Sequence, residues 1–276
     1  MVRILVRYGE IALKSAPVRR RFEQALVRNI RGALHSSLQV PCRVSRGSGR
    51  ILLDTPQEAV PILQRVFGIV SLSVAQECPA DLAAMTALAL ALTKGWEGTF
   101  AVRTRRVGKH PFSSQQVNEH LGNSLRSPQL RVDLSHPQHT LHVEIRDRTA
   151  FLFTDVVQGQ GGFPLGSQGK IVALIHDLEG VLAAWLFMRR GCAVVPFFPR
   201  EPLGLEALEA WAFQKLPFRQ GGSLAAAIQQ ERSLGLVVAH PGDIARYKQE
   251  LGIPVYCPLL GMEEGDRVRM LKELGC

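Results

Sequence analysis

Three groups of residues in this chain could do chemistry. The first is a basic run, Phe100-Ala-Val-Arg-Thr-Arg-Arg-Val-Gly-Lys-His-Pro-Phe-Ser-Ser-Gln-Gln-Val-Asn-Glu-His-Leu-Gly122. Alternation along a strand projects Arg103 and Arg105 from one face. Arg106 and Lys109 follow in the turn. Ser113 or Ser114 then caps a helix whose free amides can meet a phosphate, and Asn118 follows one turn on. Guanidinium forks supply bidentate contacts to phosphate oxygens. The competing description is a solvated basic strand edge.

The second group is the turn Ile175-His176-Asp177-Leu178-Glu179-Gly180. It lies between an apolar strand from Ile171 and a helix that ends at Gly191, where an α/β domain holds a nucleotide phosphate. Such a cradle needs exposed amides and no negative charge. Here two acids and one glycine stand in it. An acid about 4 Å from a phosphate costs roughly 4 kcal/mol per charge pair at an intermediate dielectric. Asp177 reads instead as a helix N-cap and Glu179 as a favourable first-turn acid. The alternative is an unusual ligand site that uses His176.

The third group is the cysteines: Cys42, Cys78, Cys192, Cys257 and Cys276. Their number is odd and none forms a CxxC pair, which argues against a disulfide framework or a zinc site. Cys257 falls at the C-terminal end of an expected parallel strand, where reactive groups occur; a packed thiol is the other reading. His136, His139 and His142 are three apart but span a proline turn, so no metal is expected. Residues 162–170 fail as a Walker loop, because Pro164 and Ile171 occupy its first glycine and its Ser/Thr positions.

The surrounding chain must position these groups. Its 276 residues carry a formal charge of +9. Residues 1–165 hold 21 Lys+Arg against 12 Asp+Glu, and residues 166–276 hold 12 against 12. A basic module joined to a neutral one suggests a polyanion binder fused to something else. Arg3 and Arg7 interrupt the first apolar residues, so no signal peptide is expected. The uncharged run 82–93 is too short to span a bilayer. No membrane association is expected, and the expected location is cytoplasmic.

Periodicity predicts a strand at 2–8 and a helix from Ser15 with an apolar stripe at Phe22, Leu26, Ile30 and Leu34. A hairpin over 42–54 turns at Gly47-Ser48-Gly49, then a short helix spans 58–67 and a strand 69–75. That β-α-β-β-α-β order suggests a ferredoxin-like unit. Helices follow at 81–94 and 114–126, and strands at 99–106, 131–134, 139–146 and 150–157. A glycine-rich connector, residues 159–169, marks the clearest change in composition. Beyond it, strand and helix alternate, with strands at 193–198, 234–239 and 254–256 and a helix at 205–214. Such alternation implies a parallel sheet covered on both faces. The expected fold is thus an α+β N-terminal half joined to an α/β parallel-sheet domain.

The basic run resembles the THUMP module of tRNA-modifying enzymes. The opening Arg7-Tyr8-Gly9-Glu10-Ile11-Ala12-Leu13-Lys14-Ser15 resembles the start of the ThiI-type tRNA sulfurtransferases, the tRNA 4-thiouridine synthetase family. Gly159-Gln-Gly-Gly-Phe-Pro-Leu-Gly166 resembles that family's linker. Ala183-Ala184-Trp185-Leu186, Met188-x-Arg190-Gly191 and Pro258-Leu259-Leu260-Gly261-Met262 resemble parts of its pyrophosphatase-loop domain. The resemblance is to the short, archaeal-like form, without a rhodanese extension. It implies a ferredoxin-like domain over 1–76, a THUMP domain over 77–165 and a pyrophosphatase-loop-like domain over 166–276. It further implies that the first two grip the acceptor end of tRNA, by shape and backbone more than by sequence.

The family's ATP loop reads Ser-Gly-Gly-x-Asp-Ser, and Ile175, His176, Asp177, Leu178, Glu179 and Gly180 stand in its place. The family's sulfur chemistry needs a cysteine ahead of the closing Pro-Leu motif, which leaves Cys192 and Cys257. The leading expectation is a tRNA-binding family member without a functional ATP loop and with no cofactor. Phosphate contacts are expected from Arg7, Lys14, Arg19, Arg20, Arg21, Arg46, Arg50, Arg103, Arg105, Arg106 and Lys109, with Ser114 and Asn118. The alternatives are an ATP- and Mg-dependent sulfurtransferase that relays sulfur through Cys257, and a non-catalytic homodimeric scaffold for a sulfur-transfer or tRNA-modification partner.

Overall fold

The computed structural model describes all residues except Pro41 and Ser48. The chain runs β1 (Val2–Arg7), α1 (Ala16–Leu38), β2 (Arg43–Gly47), β3 (Arg50–Thr55), α2 (Val60–Gln64), β4 (Ser71–Pro79), α3 (Leu82–Leu92), β5 (Gly98–Val107) and α4 (Ser114–Leu125). It continues with β6 (Leu130–Val132), β7 (His139–Arg146), β8 (Thr149–Phe153), β9 (Val157–Gln158), β10 (Lys170–Leu174), α5 (Leu178–Arg189) and β11 (Ala193–Phe198). The last elements are α6 (Leu205–Ala212), β12 (Arg219–Gln220), α7 (Leu224–Gln230), β13 (Leu236–Val237), α8 (Gly242–Leu251), β14 (Val255–Tyr256) and α9 (Glu264–Leu274).

Contacts divide the chain into two units. The first comprises Met1–Arg7, Cys42–Gln57 and Ser71–Gln158; the second comprises Tyr8–Pro41, Glu58–Val70 and Gly159–Cys276. The first unit holds a sheet ordered β2-β3-β1-β4-β8-β7-β5-β6, with β9 also on β4. The β2-β3-β1-β4 part is antiparallel throughout, as the β-α-β-β-α-β order requires. The turn expected at Gly47-Ser48-Gly49 includes Ser48, which lies outside the described residues, although Gly47 and Arg50 are paired.

β4 is longer than its sequence pattern suggests. Its residues 71–75 pair with β1, and its residues 76–79 pair with β8. One strand therefore joins the two parts of the sheet. Period-two alternation sorts the strands beyond it. Leu141, Val143 and Ile145 of β7 enter one core with Phe100 and Val102 of β5, Ala150 and Leu152 of β8, Met85 and Ala89 of α3, and Val117 and Leu121 of α4. His142, Glu144 and Arg146 alternate with them and belong to the other face.

The second unit holds a five-stranded parallel sheet ordered β12-β11-β10-β13-β14. The first strand, β10, lies between β11 and β13, so the order reverses there, and the C-terminal ends of β10 and β13 flank a topological switch point. Ile171, Ala173 and Ile175 face a core with α5, α6 and α9. Val172 and Leu174 face the opposite core with α7 and α8. Helices thus cover both faces. The connector needs its glycines: Gly162 has φ +71°, and a Cβ there would stand 2.1 Å from the carbonyl oxygen of Arg189.

Several boundaries differ from the sequence reading. The strand expected at 150–157 is broken, because β8 stops at Phe153 and β9 pairs separately with β4. β12 and α7 fall in the stretch 215–233, where no element was expected. α7 has seven residues, too short for a helical period to show.

Candidate nucleic-acid interface

Three arginines of the first unit, Arg7, Arg103 and Arg105, converge on one hollow of about 440 Å³. Arg7, Arg103, Arg105, Asn118, His142 and Glu144 line it, with Phe153. Strand register makes this convergence: Arg103 stands beside His142, Arg105 beside Glu144, and Phe153 beside His142. His142 and Phe153 stack at 5.2 Å.

Glu144 is the hub beneath it. Arg7 Nε donates to its Oε1 at 2.6 Å; Arg50 Nε and Arg146 Nη2 donate to Oε2 at 3.1 and 3.0 Å. Arg7 also donates to Ser73 Oγ and lies 4.6 Å over the Phe153 ring. Burial alone would raise the carboxyl pKa of Glu144, but the charges of Arg7 and Arg50 outweigh it and hold the pKa at about 2. Burial, then Arg7 and Arg105, lower the pKa of His142, which keeps the ring neutral. Glu144, Arg146 and Phe153 were not singled out from the sequence, and His142 was weighed there only as a metal ligand. The available signal was the alternation in β7, which puts a carboxylate and two basic side chains opposite three aliphatic ones.

The other expected contacts sit in several places. Arg46 is exposed on β2, and Arg105 and Lys109 are exposed on β5 and the loop after it. Arg103 donates to the carbonyl of Leu134. Arg106 donates to the carbonyl of Gly108. The cap of α4 is Ser113, with Gln116 completing a capping box; Ser114 is the first helical residue. Asn118 accepts from the Thr104 amide at 2.9 Å, which holds α4 against the edge of β5. Lys14, Arg19, Arg20 and Arg21 belong to the second unit, where Lys14 Nζ lies 5.7 Å over the Phe163 ring.

At the switch point of the second unit, Asp177 caps α5, accepting from the Gly180 amide at 2.9 Å. Its other oxygen meets His240 Nε2 at 2.7 Å, across from the end of β13. His240 Nδ1 is 3.5 Å from Glu179, whose other oxygen takes Arg267 Nη1 at 2.9 Å. The Asp177 contact raises the pKa of His240. A Cβ on Gly180 would come within 2.9 Å of the Ile175 Cα, so glycine permits the close packing of α5 on β10. Cys257 follows β14 and donates to the Ala239 carbonyl at 3.0 Å, packed beside an apolar core. Among the described residues no cluster of His, Cys, Asp or Glu could hold a metal ion, and no helix is long and apolar enough to cross a membrane.

Comparison with known proteins adds to this geometry. Residues 3–73 match the model of the ThiI ferredoxin-like domain, and residues 79–155 match the THUMP domain. A probable tRNA sulfurtransferase of Methanobrevibacter smithii is 36% identical over 204 residues, covering 70% of this chain and 52% of the relative. One of Methanosarcina acetivorans is 39% identical over 207 residues, covering 71% and 50%. The chain spans about half the length of the curated relatives it matches. A crystal structure from Pyrococcus horikoshii matches with TM-score 0.85 and 30% identity over 100% of both chains. A 4-thiouridine synthetase, crystallised with RNA and bound ATP, matches with TM-score 0.80 and 23% identity over 100% of this chain and 85% of that one, a likeness of fold.

Proposed function

This chain belongs to the ThiI family of THUMP-domain proteins, and we propose that it binds tRNA without using ATP at its switch point. The observation that carries the first half is the hollow formed by Arg7 of the ferredoxin-like part and Arg103 and Arg105 of the THUMP part of one sheet. Guanidinium groups set beside a neutral His142–Phe153 stack suit a sugar-phosphate backbone. The exposed bases Arg46, Arg105 and Lys109 extend the positive field that attracts it. The acceptor end of tRNA is the proposed target.

The second half rests on the ladder Asp177–His240–Glu179–Arg267. A nucleotide phosphate at the start of α5 would compete with Asp177 for the Gly180 amide and would face two carboxylates. The residues present do not fit a triphosphate. Cys257, partly buried against an apolar core with its thiol bonded to a carbonyl, adds no nucleophile to that edge.

Titration of the full chain with tRNA at low salt, with and without Mg-ATP, tests both halves. We expect tRNA affinity that ATP leaves unchanged, and no saturable ATP heat in calorimetry. Saturable ATP binding that is lost in Asp177→Ala would return the chain to the ATP-dependent sulfurtransferases.

A further inference from the structure

The charge in the Arg7–Arg105 hollow exceeds what its own acid can balance. Three arginines line it against one carboxylate, Glu144. That carboxylate is 3% exposed and already engaged by Arg7 in front and by Arg50 and Arg146. Arg7 is itself 8% exposed, and its Nη2 has no hydrogen-bond partner. A buried guanidinium nitrogen without an acceptor is costly unless a ligand supplies one. With His142 neutral, the lining keeps two positive charges.

We propose that this hollow seats a phosphate monoester, the doubly charged terminal phosphate of an RNA 5′ end. A phosphodiester inside a chain carries one negative charge, whereas a monoester carries close to two above its second pKa near 6. Arg7 supplies the pre-set buried donor, and Arg105 supplies an exposed one. Arg103 turns one nitrogen to the Leu134 carbonyl and keeps the others for the anion. The volume of about 440 Å³ leaves room for the attached ribose against the Phe153 and His142 stack. The inference rests on the tRNA-binding reading and deepens it: it names the group on the nucleic acid that this part of the interface selects.

The test compares one RNA hairpin prepared with a 5′-phosphate and with a 5′-hydroxyl, bound to the full chain at fixed salt, with inorganic phosphate as competitor. The phosphorylated form should bind about tenfold tighter, the size of one charge-assisted contact. Phosphate should compete only with that form, and Arg105→Ala should cut the preference to twofold or less. Arg7→Gln should abolish it; because that change also strips a partner from Glu144, the exposed Arg105→Ala keeps the test open if Arg7→Gln fails to fold. Saturable phosphate binding, lost in Arg105→Ala, with equal affinity for the two RNAs would support the seat and assign it to a free phosphate. Equal affinity with no phosphate binding overturns the proposal while leaving RNA binding intact. If neither RNA binds, the tRNA-binding reading falls, and the phosphate arm alone decides the seat.

Discussion

Glu144 sets the chemistry of the first unit because it collects Arg7, Arg50 and Arg146 on one buried carboxylate. Removing one partner of a buried ion pair costs about 3–5 kcal/mol, because the other charge is left uncompensated. Glu144→Gln should therefore lower unfolding stability by that amount in denaturant titration; a change under about 1 kcal/mol would show that the arginines repair themselves with water. The pH dependence has a definite sign. The carboxyl pKa falls from 4.5 to about 2 on folding, so its contribution is complete above pH about 4.5 and is lost as pH falls toward about 2. The shift corresponds to about 3 kcal/mol. At this scale the sequence was readable in part. Arg103, Arg105 and Asn118 were assigned to one site and line one hollow. Arg7 and Arg50 were expected as phosphate contacts; both also pair with an acid 137 and 94 positions along the chain, a pairing that no local spacing encodes.

At the scale of elements, α5 and β10 show how the switch point is built. The helix starts on the Asp177 cap and runs against the strand at Gly180, where the nearest obstacle to a side chain is backbone. Gly180→Ala should push α5 away from β10 and cost about 1–3 kcal/mol through overpacking. Trp185 of α5 is 1% exposed and packs on Phe67 and Trp211, so its near-ultraviolet circular dichroism should report the shift. An unchanged spectrum and stability would mean that the contact relaxes freely. The strand, turn and helix of this segment were legible because they are strongly apolar and their cap is a short acid. Its partners His240 and Arg267 were not, since they arrive from the segment after β13 and from α9, 63 and 88 positions away from Asp177 and Glu179. β4 was under-read for a related reason. Gln76, Glu77 and Cys78 break its apolar pattern, yet pairing with β8 carries the strand on to Pro79.

Across the whole molecule, charge and fold divide differently. The positive excess lies in residues 1–165, yet the contact units place Lys14 and the arginines of α1 with the parallel sheet and not with the basic hollow. The composition shift at the glycine-rich connector marks where β-rich sequence gives way to alternating strand and helix. It could not show that 8–40 and 58–70 would join the later half. In the proposed function the basic face of the first unit holds tRNA by its phosphates. Salt dependence tests it most directly, because each phosphate contact releases counterions. The measurement is tRNA affinity of the full chain between low and moderate salt, for the natural sequence and for Arg105→Ala with Lys109→Ala. Both residues are exposed, so the fold should tolerate their loss. A steep negative slope of log affinity on log salt is expected, reduced by up to about two ion equivalents in the double variant. An identical slope in the two proteins would contradict it.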